Sequence, residues 1–348
     1  MRCQHGEACE EARIAISNFP GARLLITGVS GFVGSALLRV LECAARTGER
    51  WEVFGISRTN PHGHSRKLSL TALDPTWLKH DIRSLIPDIG DVDFVVHAAT
   101  PTARLASNPD SLQIINTAVL GMQNVMAWAA SMKKPPLVLH TSSGAVYGEQ
   151  PKSLLAFPEE YIGSIDSFNS QNLYAESKRA AEMVLASGSE IWGIPVVNTR
   201  LFAFSGQDIP LRRSFAIGNF VADGVASRPV RVAGTGRPIR SYLDQTDMAA
   251  WILGALIQGP SNQTLHIGSQ KSYHLADVAK IVAEICHVEL NIEFNEKADG
   301  QRMKYVPSTE VTRSHLKMKE WTTLESSIAS WVSALTMGGR DFEYLPTH

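Results

Sequence analysis

The sequence has little of three features that would place it in a specialised class of protein. Its apolar stretches near residues 92–99 and 125–130 are far shorter than the roughly 20 residues that a membrane helix needs. Four cysteines in 348 residues are too few and too scattered for a disulfide framework. Lysine and arginine total 33 against 34 acidic residues, so no net charge favours nucleic acid or an anionic membrane surface. We therefore predict a cytoplasmic protein that binds neither nucleic acid nor membranes.

The N-terminal segment carries charged side chains and has no apolar central region, so it does not resemble a secretory signal. We interpret residues 1–21 as a variable extension. Cys3, His5 and Cys9 lie in this segment, but their spacing and the missing fourth ligand argue against a metal site. We predict no metal site in the chain.

The rest of the chain alternates between strand and helix patterns. Apolar strand patterns occur near residues 24–26, 51–56, 93–99 and 136–140, and helical spacing covers residues 32–45, 111–131 and 174–187. This alternation predicts an α/β fold, with a Rossmann-type doubly wound parallel sheet covered by helices on both faces.

The composition of the chain changes near residue 200, where glycine, proline and arginine become frequent. We predict a nucleotide-binding domain over residues 22–200 and a smaller, mainly substrate-binding lobe over residues 201–348. The two parts are expected to interleave. Ligands of such sheets bind outside the carboxyl ends of the strands.

Three glycines, Gly28, Gly31 and Gly34, lie directly between the first strand and the first helix. Glycine permits a tight turn and close approach of the backbone to a pyrophosphate, which the N–H groups at the helix N-terminus attract. The pattern predicts a dinucleotide site. The candidate cofactor contacts in this loop are Gly28, Ser30, Gly31, Phe32, Val33 and Gly34.

The second predicted strand ends at Ser57 and Arg58, without the acidic residue that would accept a hydrogen bond from the ribose 2′-hydroxyl of NAD. A guanidinium and a hydroxyl suit a 2′-phosphate, so this position favours NADP(H) over NAD(H). The alternative is that Arg58 is merely solvated. Further candidate cofactor contacts at the ends of later segments are Asp81, Ile82, Ala98 and Ala99.

Tyr174 and Lys178 lie at i and i+4, on one face of a predicted helix. A nearby ammonium stabilises a phenolate, which can then exchange a proton with a substrate hydroxyl. A surface pair has the same spacing, but residues 141–148 (TSSGAVYG) place hydroxyl groups at the end of the fourth strand. One substrate oxygen could therefore contact a serine and the tyrosine together.

With these motifs the chain, from about Leu24 onward, resembles the extended short-chain dehydrogenase/reductase family, in its nucleotide-sugar epimerase/dehydratase branch. The resemblance implies that Ser143 is the catalytic serine, Tyr174 the acid/base, and Lys178 the residue that orients the nicotinamide ribose. It implies that Ser142 faces the nicotinamide. It also implies a nucleoside-diphosphate sugar substrate that reacts through a keto-sugar, and a homodimer.

The second lobe carries further resemblance to that branch. Arg240 and Arg302 resemble the two arginines that contact the substrate diphosphate, and each could instead form a surface salt bridge. Asn219 and Thr100 are the other candidate substrate contacts. The family's frequent asparagine in the segment after Arg200 is Ala203 here, which puts one substrate contact in doubt.

Gly144 and Ala145 follow Ser143, where the dehydratases and decarboxylases of this branch commonly carry acidic residues. Neither can donate or accept a proton through its side chain, so we expect a 4-epimerase or a 4-ketoreductase. The serine loop resembles that of 4-epimerases and favours the epimerase. Arg58 favours the reductase, because a reductase consumes NADPH and Arg58 suits the 2′-phosphate of that cofactor. The alternatives are a 4,6-dehydratase or decarboxylase, a carbonyl reductase outside sugar metabolism, and a dinucleotide-binding protein without catalysis.

Overall fold

A computed structural model describes residues 6–58, 68–100, 111–211, 215–299 and 303–337. Its helices are α1 Gly6–Ser17, α2 Phe32–Arg46, α3 Leu112–Ala130, α4 Leu173–Trp192, α5 Ala216–Val225, α6 Gln245–Gln258, α7 Leu275–Cys286, α8 Glu310–Leu316 and α9 Leu324–Met337. Short 3₁₀ helices cover Gly144–Tyr147, Ser170–Asn172 and Glu296–Asp299. Within the described ranges, every helix is too short or too polar to cross a bilayer.

The strands form one large sheet and three small ones. They are β1 Arg23–Thr27, β2 Glu52–Ser57, β3 Thr76–Lys79, β4 Phe94–His97, β5 Leu137–Ser143, β6 Val196–Leu201, β7 Phe204–Ser205, β8 Val230–Val232, β9 Ile239–Ser241, β10 Leu243–Asp244, β11 Gln263–Ile267, β12 Ser272–His274, β13 Leu290–Ile292 and β14 Lys304–Tyr305. The large sheet has seven parallel strands in the order β11-β6-β5-β4-β1-β2-β3. The predicted doubly wound parallel sheet is thus confirmed.

The strand order reverses between β1 and β4, which lie side by side although β2 and β3 intervene in the chain. The connections on the two sides of this point leave in opposite directions and open a crevice at the carboxyl ends of the strands. The glycine loop after β1 and the residues after β4 border that crevice.

Both faces of the large sheet are buried, which is why its strands read as continuous apolar runs. Leu24 and Ile26 pack on one face with residues of α1, α2 and α6. Leu25 and Val95 pack on the opposite face with residues of α3 and α4. The sheet therefore holds α4, which carries Tyr174 and Lys178, firmly beside β5.

The N-terminal segment, which we had interpreted only as an extension, contains α1. This helix packs against α2 and α6. Its buried side chains recur at helical spacing and are Ala8, Cys9, Ala12, Ala15 and Ile16. From Gly6 onward the segment therefore contributes to the core.

The small sheets lie in the C-terminal half of the chain. One has the order β12-β9-β14, and the other two pair β13 with β8 and β10 with β7. An apolar cluster joins α5, α7 and α9 around residues such as Phe220, Val278 and Ile328. Arg240 lies on β9, the central strand of the three-stranded sheet.

Glu42 of α2 anchors the segment that leads into β3. Its buried carboxylate accepts hydrogen bonds from the backbone N–H groups of Thr71, Ala72 and Leu73 and pairs with Arg46. Burial raises the pKa of this carboxyl, but the hydrogen bonds from Leu73, Arg46 and Thr71 outweigh burial and lower the pKa to about 2.

We expect Glu42→Gln to lower the free energy of unfolding by about 2 kcal/mol at pH 7. Because the folded-state pKa is depressed, the stabilisation is complete above the ordinary value of 4.5 and is lost as the pH falls towards about 2. Urea unfolding of the wild type and the variant at about pH 7 and about pH 3.5 measures the difference. Glu52→Gln, at a more exposed ion pair with Arg23, is the control. An equal difference at both pH values would contradict this assignment.

Candidate active site

The glycine loop between β1 and α2 has a conformation that requires glycine. Gly28 has φ +70°, and a Cβ there would lie 2.6 Å from the carbonyl oxygen of Ala98. A Cβ on Gly34 would lie 2.5 Å from the backbone of Val29. Gly31 is the N-cap of α2 and has no side chain to cover the first N–H groups of the helix. The loop therefore fits a pyrophosphate, as the sequence predicts.

Ser57 ends β2 and Asp81 follows β3, and at both positions the sequence predicts contacts with the adenosine half of the cofactor. The hydroxyls of Ser57 and Ser30 share a hydrogen bond of 2.6 Å, and Ser57 is buried. Arg58 is exposed. Asp81 pairs with Arg83 at 2.6 Å, and this hydrogen bond, helped by the charge of Arg58, lowers the pKa of Asp81 to about 2. Ser57 is thus already bonded inside the protein.

Ser143 is the last residue of β5 and caps the 3₁₀ helix that follows it. Its Oγ accepts a hydrogen bond of 3.1 Å from the backbone N–H of Ala145. Helix α4 packs against this turn, and the half-buried Tyr174 lies at its start. The predicted serine and tyrosine therefore lie on neighbouring elements at the carboxyl edge of the sheet.

Lys178 lies one turn further along α4 and is buried. Its Nζ donates a hydrogen bond of 2.7 Å to the carbonyl oxygen of Thr141, near the end of β5. Burial lowers the pKa of Lys178 to about 7, although the charge of Glu182 acts in the opposite direction. This ammonium therefore loses its proton more easily than that of an exposed lysine.

Two buried histidines lie on the same face of the sheet as Lys178. The rings of His97 and His140 stack with centroids 5.7 Å apart, and His97 shares a hydrogen bond of 2.8 Å with Thr27. Burial, together with the charge of Lys178, lowers the pKa of His97 to about 3 and that of His140 well below its usual value. Both imidazoles are neutral at physiological pH.

The space beside Ser143 is closed to a larger residue at position 144. A Cβ on Gly144 would lie 2.6 Å from Cζ of Phe202 and 2.7 Å from the hydroxyl oxygen of Tyr305. Phe202 and Tyr305 are both buried, with ring centroids 4.8 Å apart. An acidic side chain at position 144 would therefore collide with these two rings.

Sequence reasoning missed an ion pair beside the catalytic helix. Arg200 of β6 makes a bidentate contact with Glu182 of α4, at 2.7 Å and 3.0 Å. Ser142 donates a hydrogen bond of 2.5 Å to the same carboxylate. The sequence signal that could have drawn attention to Glu182 was its position four residues after Lys178, on the same face of the predicted helix. The predicted contact of Ser142 with the nicotinamide stays a prediction.

The predicted substrate contacts are only partly described. Arg240 is half-buried on β9. Among the described residues, the buried side-chain oxygens of Thr100 and Asn219 have no hydrogen-bond partner, and their contact with a substrate stays a prediction. Arg302 lies outside the described residues. Ile82 is buried, and Ala98 and Ala99 follow β4 beside Gly28.

Comparisons with known proteins agree with this geometry. A sequence model described as the NAD dependent epimerase/dehydratase family matches residues 24–268. UDP-glucuronic acid decarboxylase 1 from Arabidopsis thaliana is 25% identical over 316 residues, which cover 89% of this chain and 69% of that protein. The chain is also similar in fold to two solved enzymes.

The first is a tyrosine-to-phenylalanine mutant of UDP-glucuronic acid 4-epimerase from Bacillus cereus, in complex with UDP-4-deoxy-4-fluoro-glucuronic acid and NAD. It aligns with a TM-score of 0.77 at 19% identity, covering 90% of this chain and 99% of that one. The second is dTDP-glucose 4,6-dehydratase from Streptomyces venezuelae with NAD bound. It aligns with a TM-score of 0.77 at 21% identity, and the alignment covers 90% of this chain and 97% of that one.

The preference for NADP(H) was wrong. The matching family is described as NAD dependent, and both solved neighbours hold NAD. At the end of β2 the buried Ser57 hydroxyl shares a hydrogen bond with Ser30, an arrangement that does not by itself select a 2′-phosphate. Arg58 is exposed, which agrees with the alternative interpretation that its side chain is merely solvated. The family match therefore points to NAD rather than NADP(H).

Proposed function

Because the chain belongs to the NAD dependent epimerase/dehydratase family, we propose that it is a nucleotide-sugar 4-epimerase that oxidises and re-reduces one sugar carbon. When bound, NAD accepts a hydride from that carbon and returns it to the opposite face of the ketone. The names of the relatives supply the first substrate to test, UDP-glucuronic acid.

Three side chains carry the proton chemistry in this proposal. Tyr174 takes the proton of the C4 hydroxyl as the ketone forms and returns it when the ketone is reduced. The Ser143 hydroxyl donates a hydrogen bond to the same oxygen. Lys178, one turn from Tyr174, keeps a positive charge near the phenol and favours its deprotonated form.

The observation that carries the proposal is the space around Gly144. Water elimination and similar further steps need an additional acid or base beside the reacting carbon. Gly144 supplies none, and a longer side chain there would have to displace the buried rings of Phe202 and Tyr305. An enzyme limited to hydride transfer at C4 fits this site best.

Correction of the cofactor removes the argument for a 4-ketoreductase. That argument rested on Ser57 and Arg58 as a site for the 2′-phosphate of NADPH. An epimerase regenerates its NAD in every turnover and needs no exchange of cofactor. The decarboxylases among the relatives remain the second candidate, since they match most of this chain.

Incubation of the purified enzyme with UDP-glucuronic acid, UDP-glucose and dTDP-glucose, followed by chromatography and NMR of the products, tests the proposal. The expected product is the C4 epimer, formed without release of CO₂ and without consumption of NAD. A UDP-pentose with CO₂ would replace the proposal with decarboxylation. A 4-keto-6-deoxy sugar would replace it with dehydration.

Arg240 is expected to hold the substrate diphosphate. We expect Arg240→Ala to raise KM for the nucleotide sugar about 30-fold with a smaller change in kcat, since a charge-assisted hydrogen bond contributes about 2 kcal/mol. Steady-state kinetics measure this effect. Arg237→Ala is the matched control, because the Arg237 side chain is exposed and, within the described part of the chain, pairs with the exposed Glu296. An unchanged KM in Arg240→Ala would favour a carbonyl substrate without a diphosphate.

We further propose a cytoplasmic homodimer. In the resemblance on which this rests, each subunit contributes two helices, one of which carries the tyrosine and lysine. The corresponding helices here, α3 and α4, pack along each other and expose Leu112, Leu120 and Met183. Light scattering should give twice the chain mass of 38.0 kDa.

A further inference from the structure

A continuous series of side-chain contacts runs from the strand that carries Ser143 to the C-terminal half of the chain. Ser142 donates to Glu182, and Arg200 pairs with Glu182. The guanidinium of Arg200 also lies over the ring of Tyr147, with Cζ 4.7 Å from the centroid. The Tyr147 hydroxyl donates to Nε2 of His266, whose Nδ1–H donates to the carbonyl oxygen of Ser308.

None of these side chains has a role in the hydride transfer proposed above. We propose that the ion pair of Glu182 and Arg200 is a positioning device, which fixes the charge of Lys178 and anchors the strand end that carries Ser143. This inference rests on the proposed roles of Tyr174 and Lys178 and extends them to two further residues.

The geometry gives Glu182 direct influence over Lys178. The two residues are four apart on α4, so their side chains lie on one face of the helix about one turn apart. Glu182 is held by three donors, two from Arg200 and one from Ser142, and both members of the pair are largely buried. A fixed, buried carboxylate acts on a neighbouring ammonium more strongly than a mobile one in water.

The groups that face Lys178 come from β4, β5 and α4. From β4 and β5 they are the imidazoles of His97 and His140, whose pKa values are lowered by burial. The carbonyl of Thr141 accepts the hydrogen bond from Lys178. From α4 itself they are Tyr174, one turn earlier, and Glu182. The balance between Glu182 and Arg200 therefore decides how easily Lys178 keeps its proton.

This arrangement predicts opposite effects from the two halves of the ion pair. Glu182→Gln leaves the positive charge of Arg200 unbalanced and should make Lys178 lose its proton more easily. Arg200→Gln leaves the negative charge of Glu182 unbalanced and should make Lys178 hold its proton more tightly. Each substitution should move the pH at which Lys178 loses its proton by about one pH unit, because the charges act across one helical turn at the effective dielectric constant of a buried site. A purely structural role predicts similar damage from both variants.

The test is the pH dependence of kcat/KM for UDP-glucuronic acid, from about pH 5.5 to about pH 9, for the wild type, the two single variants and the double variant. We expect the basic limb to move to lower pH in Glu182→Gln, to higher pH in Arg200→Gln, and back towards the wild-type position in the double variant. The proposal is overturned if Glu182→Gln and Arg200→Gln move the basic limb in the same direction or leave it in place.

Two controls keep the test decisive. Arg179→Gln removes a guanidinium next to Lys178 that donates instead to the carbonyl oxygens of Val146 and Ile162, and it should leave the limb in place. If one single variant fails to fold, the direction in which the other single variant moves the limb decides, and Arg200→Lys, which keeps the charge, should leave the limb in place.

The affinity for NAD, measured by calorimetry over the same pH range, does not depend on the sugar. The pH dependence of this affinity should move to lower pH in Glu182→Gln and to higher pH in Arg200→Gln. If the wild type turns over no nucleotide sugar, the proposed function fails, and the NAD titration alone then supports or overturns the role of the ion pair.

Discussion

Replacement of Tyr174 by phenylalanine is expected to reduce kcat about 1,000-fold while NAD affinity stays within about twofold of the wild type. The variant keeps the ring and its packing at the start of α4 but loses the hydroxyl that exchanges a proton with the substrate. Lys178 remains bonded to the carbonyl oxygen of Thr141, so the contacts expected for the cofactor persist. Kinetics with UDP-glucuronic acid and calorimetry with NAD give the two values.

Tyr161→Phe is the matched control for that experiment. Tyr161 lies in the loop after the 3₁₀ helix, with its ring 5.8 Å from that of Tyr147, and the proposed chemistry does not use it. Its removal should leave kcat within about twofold of the wild type. Retention of more than about a tenth of kcat by Tyr174→Phe would show that another group moves the proton.

The second large effect is expected from Gly34→Ala. The added methyl group would lie 2.5 Å from the backbone of Val29, which is buried and cannot move aside as a flexible side chain can. The start of α2 must therefore shift away from the glycine loop. We expect the free energy of unfolding to fall by about 2 kcal/mol and NAD affinity to fall at least about 100-fold, since the N–H groups that face the pyrophosphate move with the helix.

Urea unfolding and calorimetry with NAD measure these two effects. Gly6→Ala is the control, because a Cβ built on Gly6 meets no atom within 4 Å from the described residues outside its own turn of α1. It should change the free energy of unfolding by less than about 0.5 kcal/mol. Wild-type NAD affinity in Gly34→Ala would mean that the loop does not hold the pyrophosphate.

The sequence was sufficient to predict the sheet and the loop because both depend on local patterns. Apolar runs that end in glycine, followed by helical spacing, have few structural solutions in a chain of this length. Tyr174 and Lys178 were found for the same reason, since their spacing lies within one helix. The boundary near residue 200 stays a prediction, and so do the roles of the site residues.

Features that depend on contacts between distant elements were not predicted. Glu182 and Arg200 lie on α4 and β6, and only the packing of those elements brings them together. The closure around Gly144 involves Tyr305, which is distant in the chain. The cofactor error has another origin: the charge of Arg58 was visible in the sequence, but a single exposed guanidinium does not distinguish NADP(H) from NAD(H).

The central claim is that one carbon is oxidised and then reduced by the same NAD molecule. The most direct test supplies UDP-glucuronic acid labelled with deuterium at C4 and follows the label by NMR and mass spectrometry. The account predicts that the C4 epimer forms and keeps the deuterium at C4, with no net NADH. Loss of the label to solvent or to released NADH, or conversion of the sugar without inversion at C4, would contradict it.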